Sequence, residues 1–348
     1  MERERLLAAR MHSQLLTAPA GSVLDAARHM LATQAQDFIA GRYALAQRVD
    51  PMPNRAQVNQ LFNEGLLVRS WTMRGTLHIA LAEDAQWLVQ LAKDRTLRSA
   101  AARHRELQID PATIDAAGEA ISSYLRDMGQ GSRNALFEQL EQHGIGTRSQ
   151  RGLHLLLALV QHGLLCLGPI PAGAKLVAQD FVLVESWISK HHVPEDPLQE
   201  LVTRYLDSHG PATLRDAAWY SGQTLTTIRH AAAELGGVLI SVGKDGRGED
   251  FLVVEGSLAH QALESTEPPE LPRRLLGPFD EYYLSCVERS LIADTEMQQQ
   301  ITPGKNGMFN AFWLEQGRAS QLWDANIAPA DSLGATLHQQ YLDFRATS

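Results

Sequence analysis

Cysteine is almost missing from this chain: Cys166 and Cys286 are the two in 348 residues. They stand far apart, with no CxxC or Cys/His spacing around either, so neither a disulfide framework nor a zinc site organises the fold. No cluster of histidines and carboxylates has ligand spacing either, and no metal or organic cofactor is expected. Long apolar runs are also absent; none approaches the ~20 residues that span a bilayer. Glu2, Arg3, Glu4 and Arg5 occupy the place where a secretory leader would carry its apolar core. The expectation is a soluble, cytoplasmic, reduced protein with no membrane partner. Positive charge is short as well, with 31 Lys and Arg against 40 Asp and Glu, a net charge of −9. Taken whole, that balance disfavours a phosphate backbone as partner.

The basic residues that are present are unevenly placed. Residues 1–110 hold 14 Lys and Arg against 11 Asp and Glu, which leaves 17 against 29 for the remainder. Within that first third, Lys93, Arg95, Arg98, Arg103, His104 and Arg105 follow one another with Asp94 as the single opposing charge. The run reads either as an electrostatic footprint for nucleic acid or as a solvated helix face. Hydrophobic residues make up 44% of the chain, enough for real cores, and the length calls for two or three units.

Three segments share one order of elements, helices followed by two β-rich runs around a turn. In the last, 198–206 and 224–235 read as helices, "HGPATLRDAAWYSG" between them as a turn and a helix ending at Gly222, and "GVLISVGKDGRGEDFLVVEG" gives two strands around a charged glycine-rich tip. That pattern is a winged helix-turn-helix. Upstream, 113–126, 132–143 and 149–162 precede "GLLCLGPIPAGAKLVAQDFVLV". Earlier still, 6–16, 22–33 and 56–64 precede "LLVRSWTMRGTLHIA". The boundaries expected are 1–110, 111–193 and 194–263 for three winged helices. After the acidic, proline-rich "ESTEPPELPRR", residues 271–348 form a small β-barrel or partial barrel. There "GPFDEYYLSCV" reads as a strand, "GMFNAFWLEQGRASQLW" as a hairpin turning at 315–317, and "TLHQQYLDF" as a helix. The fold class is α+β. Winged helices serve both as DNA readers and as protein docking modules, and the fold alone does not choose.

"MLATQAQDFIAGRYALAQR" carries two glutamines, Gln34 and Gln36, around one alanine. On a helix they would face nearly opposite ways; in an extended or turn segment both can address one ligand. The helical spacing of Val23, Leu24, Ala27, Met30 and Leu31, then Gly41, puts the pair where a helix ends. Exposed helical glutamines are the competing account.

Four stretches, "LATQAQDFIAGRYALAQR", "VRSWTMRGTLHIALAEDA", "HGPATLRDAAWYSG" and "LLGPFDEYYLSCVERS" followed by "TPGKNGMFNAFW", together resemble the AlkZ-like winged-helix DNA glycosylases, in order, from about residue 5 to residue 324. The resemblance implies three tandem winged helices and a C-terminal β-barrel around duplex DNA. It also implies a monofunctional glycosylase that releases alkylated purines, N7-alkylguanine in monoadducts and interstrand crosslinks included. The partner is then double-stranded DNA with alkylated purines, and the protein a monomer. In that family the Gln-x-Gln motif is catalytic, which assigns the role to Gln34 and Gln36; a sister branch has Gln-x-Asp, and the register of Gln36 before Asp37 places this chain with the Gln-x-Gln branch.

Several basic or polar residues are DNA-contact candidates beside that pair. Arg74, at a hairpin tip next to Gly75, suits a phosphate or base edge. His78 is a proton shuttle or a structural histidine. Arg42 and Arg48 line the same cleft or sit exposed at the surface. Arg95, Arg98 and Arg103 belong to the basic run, and Lys305 and Asn306 to a glycine-flanked tip that reaches DNA or simply turns a hairpin. One departure stands out: after Trp323 the chain is short and loop-like, so the barrel is incomplete or capped differently. A non-catalytic winged-helix DNA-binding protein or transcriptional regulator is the alternative function, and a protein-docking module, favoured by the acidic balance, is a third.

Overall fold

Helix starts follow the chain's own capping residues. Ser22, Asp110, Ser132, Asp196, Thr213 and Thr224 each stand just before a helix and accept a hydrogen bond from a backbone N–H two or three residues on. Each satisfies a donor that a helix start leaves open. At Thr213 the cap is reciprocal, with Asp216 reaching back to the Thr213 N–H. The computed structural model describes residues 3–173, 177–267, 269–304 and 307–346. Its elements fall into two units, Met1–Val58 with Glu195–Thr347, and Asn59–Pro194.

In the unit Asn59–Pro194, strands Leu67–Trp71 and Leu77–Leu81 pair antiparallel, with Leu67 opposite Leu81 and Trp71 opposite Leu77. Strand Leu165–Leu167 adds beside Leu67–Trp71 and Phe181–Leu183 beside that. Helices Pro111–Met128, Arg133–Gln142 and Arg151–Gln161 pack over a core that includes Leu77, Ile121, Leu125, Leu136, Leu155, Leu159 and Phe181. The basic run lies on the second half of a 25-residue helix, Ala82–Glu106, whose first half buries Trp87, Leu88 and Val89. Charge hides the helical period in that second half, so the sequence shows the run and not the length of the helix.

The other unit contains helices Arg3–Ser13, Val23–Met30 and Phe38–Ala46, then Pro197–His209, Leu214–Ser221 and Leu225–Glu234, followed by the antiparallel pair Leu239–Lys244 and Asp250–Val254. Strands Arg274–Leu276, Phe312–Glu315 and Arg318–Leu322 form a three-stranded sheet with Phe312–Glu315 in the middle. Its apolar face joins Leu7, Met11, Tyr282, Tyr283 and Ile292 in one core. Helix Ser332–Ala346 closes the chain, and Arg55 Nη1 donates to the Phe344 and Arg345 carbonyls of its last turn, both at 2.9 Å.

Among the described residues no strand closes the C-terminal sheet into a barrel; where further strands would follow, the chain turns to helix, so of the expected forms the closed barrel is not found and the incomplete, differently capped one is. One expectation needs correcting: "GPFDEYYLSCV" is not a strand. Only Arg274–Leu276 before it is extended, whereas Glu281–Leu284 is a helical turn whose cap, Asp280, accepts from Tyr282 N at 3.0 Å. The run of aromatic residues mimicked a strand pattern and outweighed the capping signal of the aspartate.

Candidate active site around Gln34 and Gln36

The two glutamines lie in the short connection between helices Val23–Met30 and Phe38–Ala46, with Gln34 closing the extended stretch Ala32–Gln34. Leu31, just before it, has φ +62 and ψ −61. For a branched, non-glycine residue that region is strained, by about 1–3 kcal/mol. The Tyr220 hydroxyl bridges the distortion, 3.3 Å from Met30 O and 3.0 Å from Ala32 O. After the pair, Asp37 caps the next helix: its Oδ1 accepts from Ile39 N and Ala40 N at 3.0 Å. Gly41, one turn in, lets that helix approach. A Cβ there would stand 2.8 Å from Ala35 Cβ and 2.9 Å from Gln34 O, closer than real side chains pack.

The two amides differ in kind. Gln34 is buried, and its Oε1 accepts from Ala35 N at 3.0 Å and Gln36 N at 3.2 Å. Two backbone donors on one oxygen fix which end of the amide is oxygen and fill both of its lone pairs. Gln36 is exposed. The Gln34 main chain is held in turn by Glu281, whose Oε1 accepts from Gln34 N at 2.7 Å.

Of the other residues expected at the site, the same unit holds Arg42 and Arg48, but as interior groups. Arg42 is 1% exposed, stacks 4.0 Å over the Phe38 ring and donates through Nε to Phe38 O. Arg48 is equally buried and forks onto Asp280 while also reaching Gln14 Oε1 and Ala44 O. Neither presents its guanidinium to a phosphate, so their assignment as DNA contacts is withdrawn. Arg74, His78, Arg95, Arg98 and Arg103 belong to the other unit. Arg74 is half-buried in a tight turn at φ +59. His78 is fully buried, with Nδ1 within 3.0 Å of Thr72 Oγ1 and Thr76 O. Burial first, and the Arg74 charge second, push it down to about 3, so it stays neutral in ordinary buffers and has no contact to offer DNA. Arg95 and Arg98 are exposed; Arg103 is half-exposed and bonded to Glu106 at 2.7 Å. Lys305 and Asn306 lie outside the described residues.

The sequence did not single out Tyr220, Asp280 and Glu281 as parts of this site, although all three stand inside the stretches that carried the family resemblance. Their partners are up to 247 residues away, and a distant contact of that kind leaves no local periodicity to read. Among the described residues, no three or more His, Cys, Asp or Glu gather where they could hold a metal, and no helix is long and apolar enough to cross a membrane.

The chain matches, over residues 27–330, a family model described as DNA glycosylase AlkZ-like. It is 25% identical over 351 aligned positions to an interstrand DNA cross-link repair glycosylase of Streptomyces sahachiroi, spanning 92% of this chain and 87% of that protein. The fold superposes on the solved structure of Streptomyces sahachiroi DNA glycosylase AlkZ with a TM-score of 0.77, at 23% identity and over 93% and 88% of the two chains. The protein therefore falls among the DNA glycosylases. Within that class, it belongs to the AlkZ-like DNA glycosylase family.

Proposed function

We propose that the protein hydrolyses the N-glycosidic bond of cationic N-alkylpurines in duplex DNA, N7-alkylguanine foremost and interstrand crosslinks among them, as a monofunctional enzyme. The observation that carries this reading is the asymmetric amide pair: the Gln34 oxygen is committed to backbone donors, whereas Gln36 is exposed. A base alkylated at N7 is already cationic and leaves as a neutral molecule, so no strong acid is needed. What remains is a sugar of oxocarbenium character and a water that must attack C1′. An amide oxygen accepts a hydrogen bond from that water and turns its dipole toward the developing charge, with no charge of its own. Gln36 is the amide available for that contact, and Gln34 holds it in place. The carboxylate closest in sequence, Asp37, serves as a helix cap through Oδ1, which supports a mechanism that draws no strong acid or base from the motif; undamaged guanine, whose departure needs protonation, is then left intact.

Three groups of helices, each followed by an antiparallel strand pair, support the winged-helix reading of the DNA-binding framework, with Arg74, Arg95, Arg98 and Arg103 as its phosphate contacts. The test is to incubate the purified chain with a duplex bearing one N7-methylguanine and measure free base and alkali-labile strands. Release of the base with an intact abasic strand supports the proposal. Tight binding without release supports the non-catalytic DNA-binding alternative.

A further inference from the structure

Helix Phe38–Ala46 is gripped at both ends by two adjacent carboxylates. Asp280 takes the residues that follow it, accepting from Gln47 Nε2 at 3.0 Å and from both terminal nitrogens of Arg48 at 3.0 and 2.8 Å. Glu281 takes the segment that precedes it, through the Gln34 N–H at 2.7 Å. Both acidic side chains are buried, Glu281 completely. Asp280 is anchored further as the cap of the turn Glu281–Leu284, so its neighbour is fixed on a short, rigid lever.

We propose that Glu281 is a positioning residue of the glycosylase, setting the place of the Gln-x-Gln amides through the main chain of Gln34. The proposal rests on the reading of Gln34 and Gln36 given above. The chain of contacts is short. Glu281 holds Gln34 N, the Gln34 side-chain oxygen holds the Ala35 and Gln36 N–H groups, and Gln36 carries the exposed amide. Without the Glu281 oxygen, the Gln34 N–H is a buried donor without its acceptor, and the segment shifts to satisfy it. A water-orienting group displaced by about 1 Å loses about 10² in rate. What Glu281 supplies is an acceptor at the right reach. The substitution Glu281→Gln keeps the reach and removes the charge, whereas Glu281→Asp keeps the charge and shortens the reach.

The experiment measures single-turnover base release and duplex affinity on an N7-methylguanine duplex. It compares the full-length wild type with Glu281→Gln, Glu281→Asp, Glu281→Ala and, separately, Gln36→Ala, and follows thermal unfolding of each. Glu281→Gln should retain most of the rate, while Glu281→Asp and Glu281→Ala lose about 10² in rate with affinity held within about 3-fold. Should Glu281→Ala fail to fold, the Gln and Asp variants decide. A slow Glu281→Gln beside a fast Glu281→Asp overturns positioning by reach. So do wild-type rates in every Glu281 variant alongside a slow Gln36→Ala. A wild type that releases no base, or a Gln36→Ala at full rate, overturns the amide reading first and this proposal with it.

Discussion

The Arg48 guanidinium forks onto the Asp280 carboxylate at 2.8 and 3.0 Å, with neither side chain exposed and a sequence separation of 232 residues. A bidentate pair in that setting is a strong directional contact, and its loss on one side strands the other charge in the interior. Arg48→Ala or Asp280→Ala should therefore lower stability by about 3–5 kcal/mol. The check is urea unfolding followed by circular dichroism. A loss below about 1 kcal/mol, the range of an exposed ion pair, would contradict the interior role assigned to Arg48.

Asp37 tests whether a carboxylate shares the chemistry. As a helix cap it is replaceable by asparagine, which caps about as well, but not by alanine, which should cost about 1 kcal/mol of stability. Single-turnover excision by Asp37→Asn should match wild type. A collapse in that variant, with folding intact, would move the water-activating role from the amides to Asp37.

How much of this was legible in the sequence depends on the range of each contact. The helices beginning near Ser22 and Ser132 were readable because their start is a local signal, and the hairpin turning at 315–317 was readable from Gly317 and the alternation around it. Local spacing left the helical and extended placements of Gln34 and Gln36 both open, and it was the family resemblance that singled the pair out; the connection between two helices is what the structure adds. The burial of Arg42 and Arg48 was not readable: arginine promises charge, and only the distant Asp280 turns Arg48 inward. Tyr220 and Glu281 stayed hidden for the same reason, since Tyr220 meets the glutamine segment across 190 residues and Glu281 across 247.

Salt dependence tests the basic helix. Arg95 and Arg98 are exposed and Arg103 is half-exposed on Ala82–Glu106, so DNA affinity should fall steeply with salt despite the net charge of −9. Replacing all three with alanine should flatten the logarithmic slope by about one for each phosphate no longer neutralised. An unchanged slope in filter-binding or anisotropy titrations would locate the electrostatic footprint elsewhere.

Lesion preference follows from the missing acid. An amide cannot protonate a departing base, so hypoxanthine and ethenoadenine, which leave well only after protonation, should be excised far more slowly than N7-methylguanine. Comparison of single-turnover rates on matched duplexes measures this. Equal rates on the charged and neutral lesions would remove the leaving-group account.

The most direct measurement is the single-turnover rate of base release from an N7-methylguanine duplex by Gln34→Ala and Gln36→Ala, with DNA affinity measured on the same samples. The amide mechanism predicts that each variant slows release by about 10² to 10³ while binding the duplex nearly as tightly as wild type. A wild-type rate in Gln36→Ala, alone or together with Gln34→Ala, would contradict it.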